Sequence, residues 1–410
     1  MSDSPPVDYG LRAVSKEGHR AVDLALDCLP TVSAGAADHD RAGSYARESH
    51  DCLARAGLMG ATVPRHLGGL GVRSLRDVAA VLERIGAADA SVALALHMQL
   101  SRGLSLSAGL LAAVPGGPAP ADQEGPSALL RSMADGSAFV AGAVTEAGAS
   151  YFTVHSTVSR TPEGAWALTG DKLMVTGAPA ATHFAVRARV MTDAGPRLGG
   201  VIVRRADRGV SVGSGWDGLG MRGSGSERVR FAATPVLPWS LSVRGEWGRY
   251  DPLALPGRLR SSAGMLGIYL GLATAARHEI AGALARRQTA GDPGRWSGPL
   301  VQAELEAAAA RQSTAAFLSS VDESGGIGPD DSLALSREWQ LCRLQLHKSM
   351  LSLSDLAMST VGAGAYRWAS PVSRILRDCR AAQFMQPYGP AQAERFIASS
   401  HSGHDPEFLV

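Results

Sequence analysis

The sequence predicts an α+β fold in which a helical N-terminal domain and a C-terminal helical bundle flank a small central β domain. Apolar residues recur at helical spacing up to about residue 110 and again after residue 258. Between residues 139 and 231 the pattern changes to short β-branched runs separated by Gly-rich turns. With 410 residues and 45% hydrophobic content, the chain is long enough for two to three packed domains. We place them at residues 1–136, 137–245 and 246–410.

The N-terminal domain is predicted from amphipathic helices between residues 18 and 110. Ser74 is a suitable N-cap, because Asp77 follows three residues later and can complete a capping box. The helix that Ser74 opens places apolar residues on one face: Leu75, Val78, Ala79, Leu82 and Ile85. Residues 114–126 are rich in Pro, Gly and Ala and predict an exposed connection, followed by a short helix that ends near Asp135.

The central and C-terminal domains are predicted from changes in the spacing of apolar residues along the chain. Short strands are predicted within residues 153–159, 166–168, 184–190, 201–204 and 228–231. After residue 258 the helical period returns, and one long helix carries an apolar stripe consisting of Leu335, Trp339, Cys342, Leu346, Met350 and Leu353. Four or five helices of this kind would form a bundle.

Composition favours small-molecule chemistry over nucleic-acid or membrane binding. Lys and Arg number 40 against 38 Asp and Glu, and neither sign forms a long block. No stretch has the length and apolarity of a membrane span, and the first ten residues do not resemble a signal peptide. The four cysteines are widely spaced, as is typical of reduced thiols. We therefore expect a cytoplasmic protein.

Four separated segments carry a family resemblance: Thr-Glu-Ala-Gly-Ala-Ser at 145–150, Lys-Leu-Met-Val-Thr at 172–176, Gly-Met-Arg-Gly-Ser at 220–224, and Pro-Val-Ser-Arg-Ile-Leu-Arg-Asp at 371–378. In this order and at these distances they resemble the flavin-binding acyl-CoA dehydrogenase family, and the resemblance extends over roughly residues 51–397. It implies FAD bound between the β domain and the C-terminal bundle. It also implies a homotetramer or homodimer.

The resemblance also implies a set of ligand contacts. Thr145 and Thr176 would lie at the flavin ring, with Met174 where the family usually has Trp. Ser150 would lie near a phosphate or the substrate thioester. Arg222 would contact ligand phosphates or brace its own turn.

A second group of residues would meet the dinucleotide across a subunit interface. Arg287 matches a family Arg that reaches the FAD pyrophosphate from a neighbouring subunit. Gly362 and Gly364 lie in a segment similar to the family's Gly-rich loop, which approaches the same cofactor. These three positions are expected to form the cofactor site that two subunits share.

The glutamate that serves the family as catalytic base is missing. Desaturation of an acyl thioester needs a base for the α-proton, and a buried carboxylate suits that task. Tyr388 occupies the corresponding position, where it would be a pocket cap or a non-standard base. The alternative family position is Gly257, and the two-residue insertion nearby could instead bring Glu394 into the site.

Three hypotheses therefore stay open at the level of sequence. The first is α,β-desaturation of an acyl thioester, carried by CoA or by a carrier protein, with an unusual base. The second is a flavin-dependent monooxygenase, which needs no such base because reduced flavin and oxygen supply the oxidant. In that case His155 could serve as a donor, whereas His183 has no assigned role. The third is a catalytically inactive flavin-binding or acyl-binding homologue. The electron acceptor, or the supplier of reduced flavin, is not determined.

Overall fold

The computed structural model describes residues 10–112, 125–150, 152–249, 251, 254–288, 297–324, 329–385 and 389–402. The helices of the N-terminal part are α1 (Lys16–Ala42), α2 (Arg47–Arg55), α3 (Leu75–Ala88), α4 (Ala90–Ala112) and α5 (Pro126–Ala134). The strands are β1 (Val140–Ala143), β2 (Thr157–Arg160), β3 (Trp166–Val175), β4 (His183–Thr192), β5 (Gly195–Arg204), β6 (Val210–Val212), β7 (Glu227–Pro235) and β8 (Ser242–Glu246). The C-terminal helices are α6 (Leu255–Ser262), α7 (Leu266–Gln288), α8 (Ser297–Glu323), α9 (Pro329–Val361), α10 (Pro371–Ala381) and α11 (Pro390–Ser402).

This order confirms the predicted α+β fold, whereas the exact domain boundaries stay predictions. The helix N-cap predicted at Ser74 is present, since its hydroxyl accepts a hydrogen bond from the Asp77 backbone N–H at 3.0 Å. The apolar stripes predicted for α3 and α9 are buried in the core. Helical periodicity therefore located the faces that pack.

The strands form one eight-stranded sheet in the order β6-β7-β3-β2-β4-β5-β8, with β1 paired to β4. The pairs β1–β4 and β2–β4 are parallel, and the other pairs are antiparallel. The β3–β7 ladder shifts register between Lys172 and Val175. The end of β3 is therefore irregular, and it lies at the junction with the helices.

Helix α4 connects the sheet to the helical parts. The Gln99 side chain donates to the Ala138 carbonyl and accepts from the Val140 N–H, both at 2.9 Å. Helix α3 packs along α7, where Thr274 donates to Glu83 at 3.1 Å. One apolar core runs through all three parts of the chain. Among the helices described, none is long and apolar enough to cross a membrane.

Candidate active site

A cavity of about 340 Å³ lies where the three parts of the chain meet. Its wall is formed by α4, the ends of β1 and β3, the loop before residue 222, the α6–α7 junction and α10. Ligand sites commonly occupy such junctions, and this volume is at the lower end of the range for small-molecule pockets. The sequence-predicted residues Thr145, Met174 and Thr176 all line it.

One wall of the cavity is polar. The Thr176 hydroxyl lies 3.0 Å from the Ser226 hydroxyl, which in turn lies 2.7 Å from that of Ser224. Thr145 is held by its backbone, because its carbonyl accepts from the Leu173 N–H at 2.9 Å. This wall can therefore offer hydroxyl and backbone groups to the edge of a bound ring.

The remaining lining is rich in methionine and also includes Arg102, Arg377 and Arg380. Five of the eleven methionines of the chain line this cavity: Met98, Met174, Met221, Met265 and Met385. A Cβ added at Gly142 would meet only the Met98 Sδ, at 3.5 Å, so that flank is open. A flat ring with polar edges fits a cavity of this kind. A cavity of about 340 Å³ is too small for a whole flavin dinucleotide, which would extend beyond it.

A buried ion pair supports the polar wall from behind. Lys172 is fully buried, and its Nζ donates to Glu146 Oε1 at 2.5 Å and to the Arg187 carbonyl at 2.6 Å. Glu146 also accepts from the backbone N–H groups of His155 and Ser156. Burial lowers the pKa of Lys172 to about 8, against the opposing attraction of Glu146. Burial alone would raise the pKa of Glu146, but Lys172 and the hydrogen bonds lower it overall.

The Arg-Asp pair of the last motif joins the three parts of the chain at the cavity. Arg377 on α10 makes a bidentate ion pair with Asp40 of α1, with distances of 2.8 and 2.5 Å. It also donates to the Leu219 carbonyl at 3.2 Å, and its guanidinium lies 4.0 Å from the ring centroid of Trp368. One side chain therefore contacts the N-terminal helices, the β-domain loop and the C-terminal bundle.

The side chain of the adjacent Asp378 binds the backbone of the same β-domain loop, at Met221. Its carboxylate accepts from the Met221 N–H at 2.6 Å. A Cβ at Gly220 would lie 2.4 Å from the Arg377 carbonyl oxygen, so only glycine permits this close approach. Burial raises the pKa of Asp378 to about 7, and the nearby carboxylate of Asp89 acts in the same direction.

His97 is a cavity residue that the sequence reasoning missed. It lies on α4, is 2% exposed, and lines the cavity. Burial lowers the pKa of His97 to about 4, although a hydrogen bond with the backbone of Ser261 works in the opposite direction. The ring is therefore neutral at physiological pH. The sequence feature that could have pointed to this residue is that His97 is the one ionisable residue between positions 90 and 100.

Several predicted residues lie outside the wall of this cavity. The Ser150 hydroxyl lies 2.8 Å from that of Thr153 and accepts from backbone N–H groups of its own turn. Arg222 donates to the Asp40 carbonyl at 2.6 Å and to the Gly218 carbonyl at 3.0 Å, which corresponds to the bracing alternative. Their ligand contacts stay predictions. His155 is exposed, so its place in the structure does not support a role as donor.

The predicted interface residues are partly brought together. A Cβ added at Gly362, where φ is +80°, would lie 3.9 Å from Arg287 Nη2. Gly364 faces open space. These residues are separate from the cavity wall, at the ends of α7 and α9. Their contact with a cofactor across an interface stays a prediction.

The described residues include only some of the candidate positions for the catalytic base of a desaturation. Tyr388 lies outside them, although Met385 just before it lines the cavity. Glu394 lies on the exposed side of α11, and Gly257 lies on α6. Among the described residues that line the cavity there is no Asp or Glu. Those residues therefore present no carboxylate that could remove an α-proton.

Comparisons with known proteins agree with this architecture. The chain matches the N-terminal domain of acyl-CoA dehydrogenases over residues 29–108, the middle domain over residues 141–234 and the C-terminal domain over residues 256–398. The L-evernosamine nitrososynthase of a Micromonospora strain is 39% identical over 404 residues, which are 96% of this chain and 93% of that protein.

Two solved structures are also similar over nearly their whole length. The nitrososynthase from Micromonospora carbonacea var. africana has a TM-score of 0.87 and 38% identity, covering 96% of this chain and 99% of that one. KijD3 in complex with FMN and dTDP-3-amino-2,3,6-trideoxy-4-keto-3-methyl-D-glucose has a TM-score of 0.88 and 33% identity, covering 96% and 95%. With all three domains matched in order around one shared cavity, the chain belongs to the acyl-CoA dehydrogenase family of oxidoreductases.

Proposed function

We propose that this protein is a flavin-dependent oxygenase that oxidises the amino group of a nucleotide-linked amino sugar. The observation that carries the proposal is a cavity whose described wall combines hydroxyl groups, a neutral histidine, methionines and three arginines without a carboxylate. A wall of this kind suits oxygen transfer to an amine better than α-proton abstraction from a thioester. The proposal agrees with the activity named for the relative that is 39% identical.

The proposed reaction consumes O₂ and two electrons from an external reductant in each oxygenation. When bound and reduced, the flavin would supply two electrons to O₂, of which one oxygen atom adds to the amine nitrogen and the other leaves as water. A second oxygenation of the hydroxylamine, followed by loss of water, would give the nitroso group. The protein contributes the apolar walls that limit water and the polar wall that orients the ring.

His97 would position the amine in this scheme. A neutral imidazole can hydrogen-bond to an uncharged amine through its ring nitrogen. We expect His97→Asn to raise KM for the amino sugar roughly tenfold, because one well-placed hydrogen bond to substrate is lost, while the flavin content stays unchanged. If the variant lost flavin and substrate binding together, His97 would be a structural residue and not a positioning one.

The buried His97 also leads us to expect a pH dependence of the folding stability. The unfolded chain takes up a proton at His97 near pH 6.5, whereas the folded form does so only near pH 4. The folded state therefore loses stability as the pH falls through this window. In urea unfolding at pH 7 and pH 5, His97→Asn should lose less stability on acidification than the wild type. An equal loss in both proteins would show that this histidine is not buried as described.

The proposed function is tested by product analysis. The purified protein, loaded with flavin, would receive a reductant, isotopically labelled O₂ and a dTDP-linked 3-amino sugar. We expect label in a hydroxylamine and then in a nitroso sugar, detected by mass spectrometry. Bleaching of the oxidised flavin by an acyl-CoA under anaerobic conditions would instead establish desaturation. Binding without turnover in both assays would identify an inactive homologue.

The identity of the flavin is part of the proposal. The sequence resemblance implies FAD, and KijD3 was solved with FMN. We propose FAD, because Arg287 and Gly362 come together outside the cavity, where an adenylate end could bind between two subunits. Release of the flavin from purified protein and chromatography against both standards would decide this. Recovery of FMN alone would remove the reason for a cofactor contact at Arg287.

A further inference from the structure

Met221 lines the cavity with its backbone in a conformation that a residue with a side chain rarely adopts. Its φ is +53° and its ψ is +37°, in the left-handed region where a Cβ is unfavourable. The residue is also buried. A strained backbone of this kind persists only where the surrounding structure holds it in place. The contacts of Met221 therefore identify what fixes this part of the cavity wall.

Three hydrogen bonds hold the peptide groups of Met221. Its carbonyl accepts from the Trp216 side chain at 2.9 Å and from the Ser224 N–H at 3.1 Å. Its N–H donates to the Asp378 carboxylate at 2.6 Å. Trp216 and Ser224 belong to the same β-domain segment as Met221, whereas Asp378 lies on α10. Of these three bonds, only the one to Asp378 therefore fixes the segment relative to the C-terminal bundle.

The segment that Asp378 fixes forms a large part of the cavity wall. Within residues 216–221, which we call the wall loop, these residues line the cavity: Trp216, Gly218, Leu219, Gly220 and Met221. The loop lies directly on α10, since Arg377 donates to the Leu219 carbonyl and a Cβ at Gly220 would clash with the Arg377 backbone. A ligand in the cavity therefore meets a surface whose position depends on α10.

Asp378 is a buried carboxylate to which the proposed reaction gives no task. The ionisable groups that act on it or adjoin it are Asp40 of α1, Asp89 just before α4 and, on α10 itself, Arg374, Arg377 and Cys379. Burial raises the pKa of Asp378 to about 7, with Asp89 and Asp40 acting in the same direction and the Met221 N–H and Arg374 opposing them. The side chain therefore changes its charge near neutral pH.

The ionised form of this side chain costs folding stability. The unfolded chain loses the Asp378 proton near pH 3.8, whereas the folded chain does so only near pH 7. The folded state therefore loses stability as the pH rises through this window, and the full cost is present above pH 7. An Asn in the same place would accept from the Met221 N–H without that cost. Stability alone favours Asn at this position, and groups retained against stability are typical of functional sites.

We propose that Asp378 is a positioning residue whose ionised carboxylate holds the wall loop in place for the ring that binds in the cavity. A hydrogen bond to a charged acceptor is stronger than one to a neutral acceptor, so ionisation strengthens the bond to the Met221 N–H. A loop that is already in place costs the ligand less on binding. The inference rests on the proposed function in one respect, which is that this ring belongs to a flavin.

Flavin binding by Asp378→Asn tests this role. The flavin-free, full-length protein would be titrated with FAD, and in parallel with FMN, and Kd read from the change in flavin fluorescence. At pH 8.5 we expect the variant to bind flavin about fivefold more weakly, the difference between a charged and a neutral acceptor. Its urea midpoint should equal or exceed that of the wild type. Asp217→Asn is the matched control, because it removes the same charge from the wall loop at a side chain that is 94% exposed.

The pH profile separates positioning from a purely structural role. From pH 8.5 to pH 6 the wild type should lose about fivefold in flavin affinity as Asp378 takes up a proton, whereas Asp378→Asn should lack this component. Groups common to both proteins cancel when the two profiles are divided, among them Lys172 with its pKa of about 8, and the flavin itself. Hydrogen exchange in the wall loop should be faster in Asp378→Asn at pH 8.5 and unchanged in Asp217→Asn.

The outcomes distinguish this inference from the proposed function. Equal affinity in Asp378→Asn and the wild type, or weaker binding with unchanged exchange in the wall loop, would overturn the role of Asp378. A loss of affinity together with a lower urea midpoint would make Asp378 a structural residue only. Profiles that differ as expected, with no labelled oxygen in the product, would support Asp378 and refute the oxygenase. Failure of the wild-type protein to bind either flavin would overturn both.

Discussion

Arg377→Ala should be the most damaging single substitution at the junction of the three parts. It would leave the Asp40 carboxylate buried without its bidentate partner, and the Leu219 carbonyl would lose a donor. Removing one member of a buried ion pair costs about 3–5 kcal/mol of unfolding free energy. Because Arg377 also lines the cavity, we expect the flavin to be lost at gel filtration as well.

Urea unfolding and the ratio of flavin to protein would measure both effects. Arg228→Ala is the matched control, since Arg228 pairs with Asp171 on the surface and is 57% exposed. An exposed pair of that kind contributes little to stability because water screens it. Arg377→Lys keeps the charge without the planar fork and should give an intermediate loss. If Arg377→Ala were as stable as the control, the three-way contact would not hold the junction together.

The second large effect is expected for Lys172→Met. This change leaves Glu146 buried beside the backbone N–H groups of residues 155 and 156 without a compensating cation. We expect a loss of about 3–5 kcal/mol in unfolding free energy. We also expect weaker flavin binding. Lys172 donates to the Val144 carbonyl and to the Glu146 carboxylate, and these two residues flank Thr145 on the cavity wall.

A double-mutant cycle isolates the pair. In Lys172→Met/Glu146→Gln the buried charge is gone, so much of the lost stability should return. If the flavin affinity stays low while stability returns, the pair positions the polar wall and does more than stabilise the sheet. Additive effects of the two single changes would show that the two side chains do not interact, contrary to the 2.5 Å contact.

The sequence by itself determined the layout of the fold. Hydrophobic period distinguishes helix from strand locally, so the apolar stripe from Leu335 to Leu353 on α9 and the capped start of α3 at Ser74 could be predicted without tertiary information. The motifs then indicated the family, because strings such as Gly-Met-Arg-Gly-Ser at 220–224 match its motifs in order and spacing. Thr145 and Thr176 were located on the cavity wall for the same reason.

Only the tertiary structure decided which side chains face one another. Asp40 and Arg377 are far apart in the chain, and no local pattern indicates that they form a buried pair. His97 lines the cavity, but it is a lone histidine in an apolar helix, and no local spacing marks it as a site residue. The family resemblance places Met174 at the site, but its positive φ and the β3–β7 register shift beside it are visible only in the folded chain. Burial, long-range pairing and backbone strain depend on the folded chain as a whole, and these properties give the cavity its chemistry.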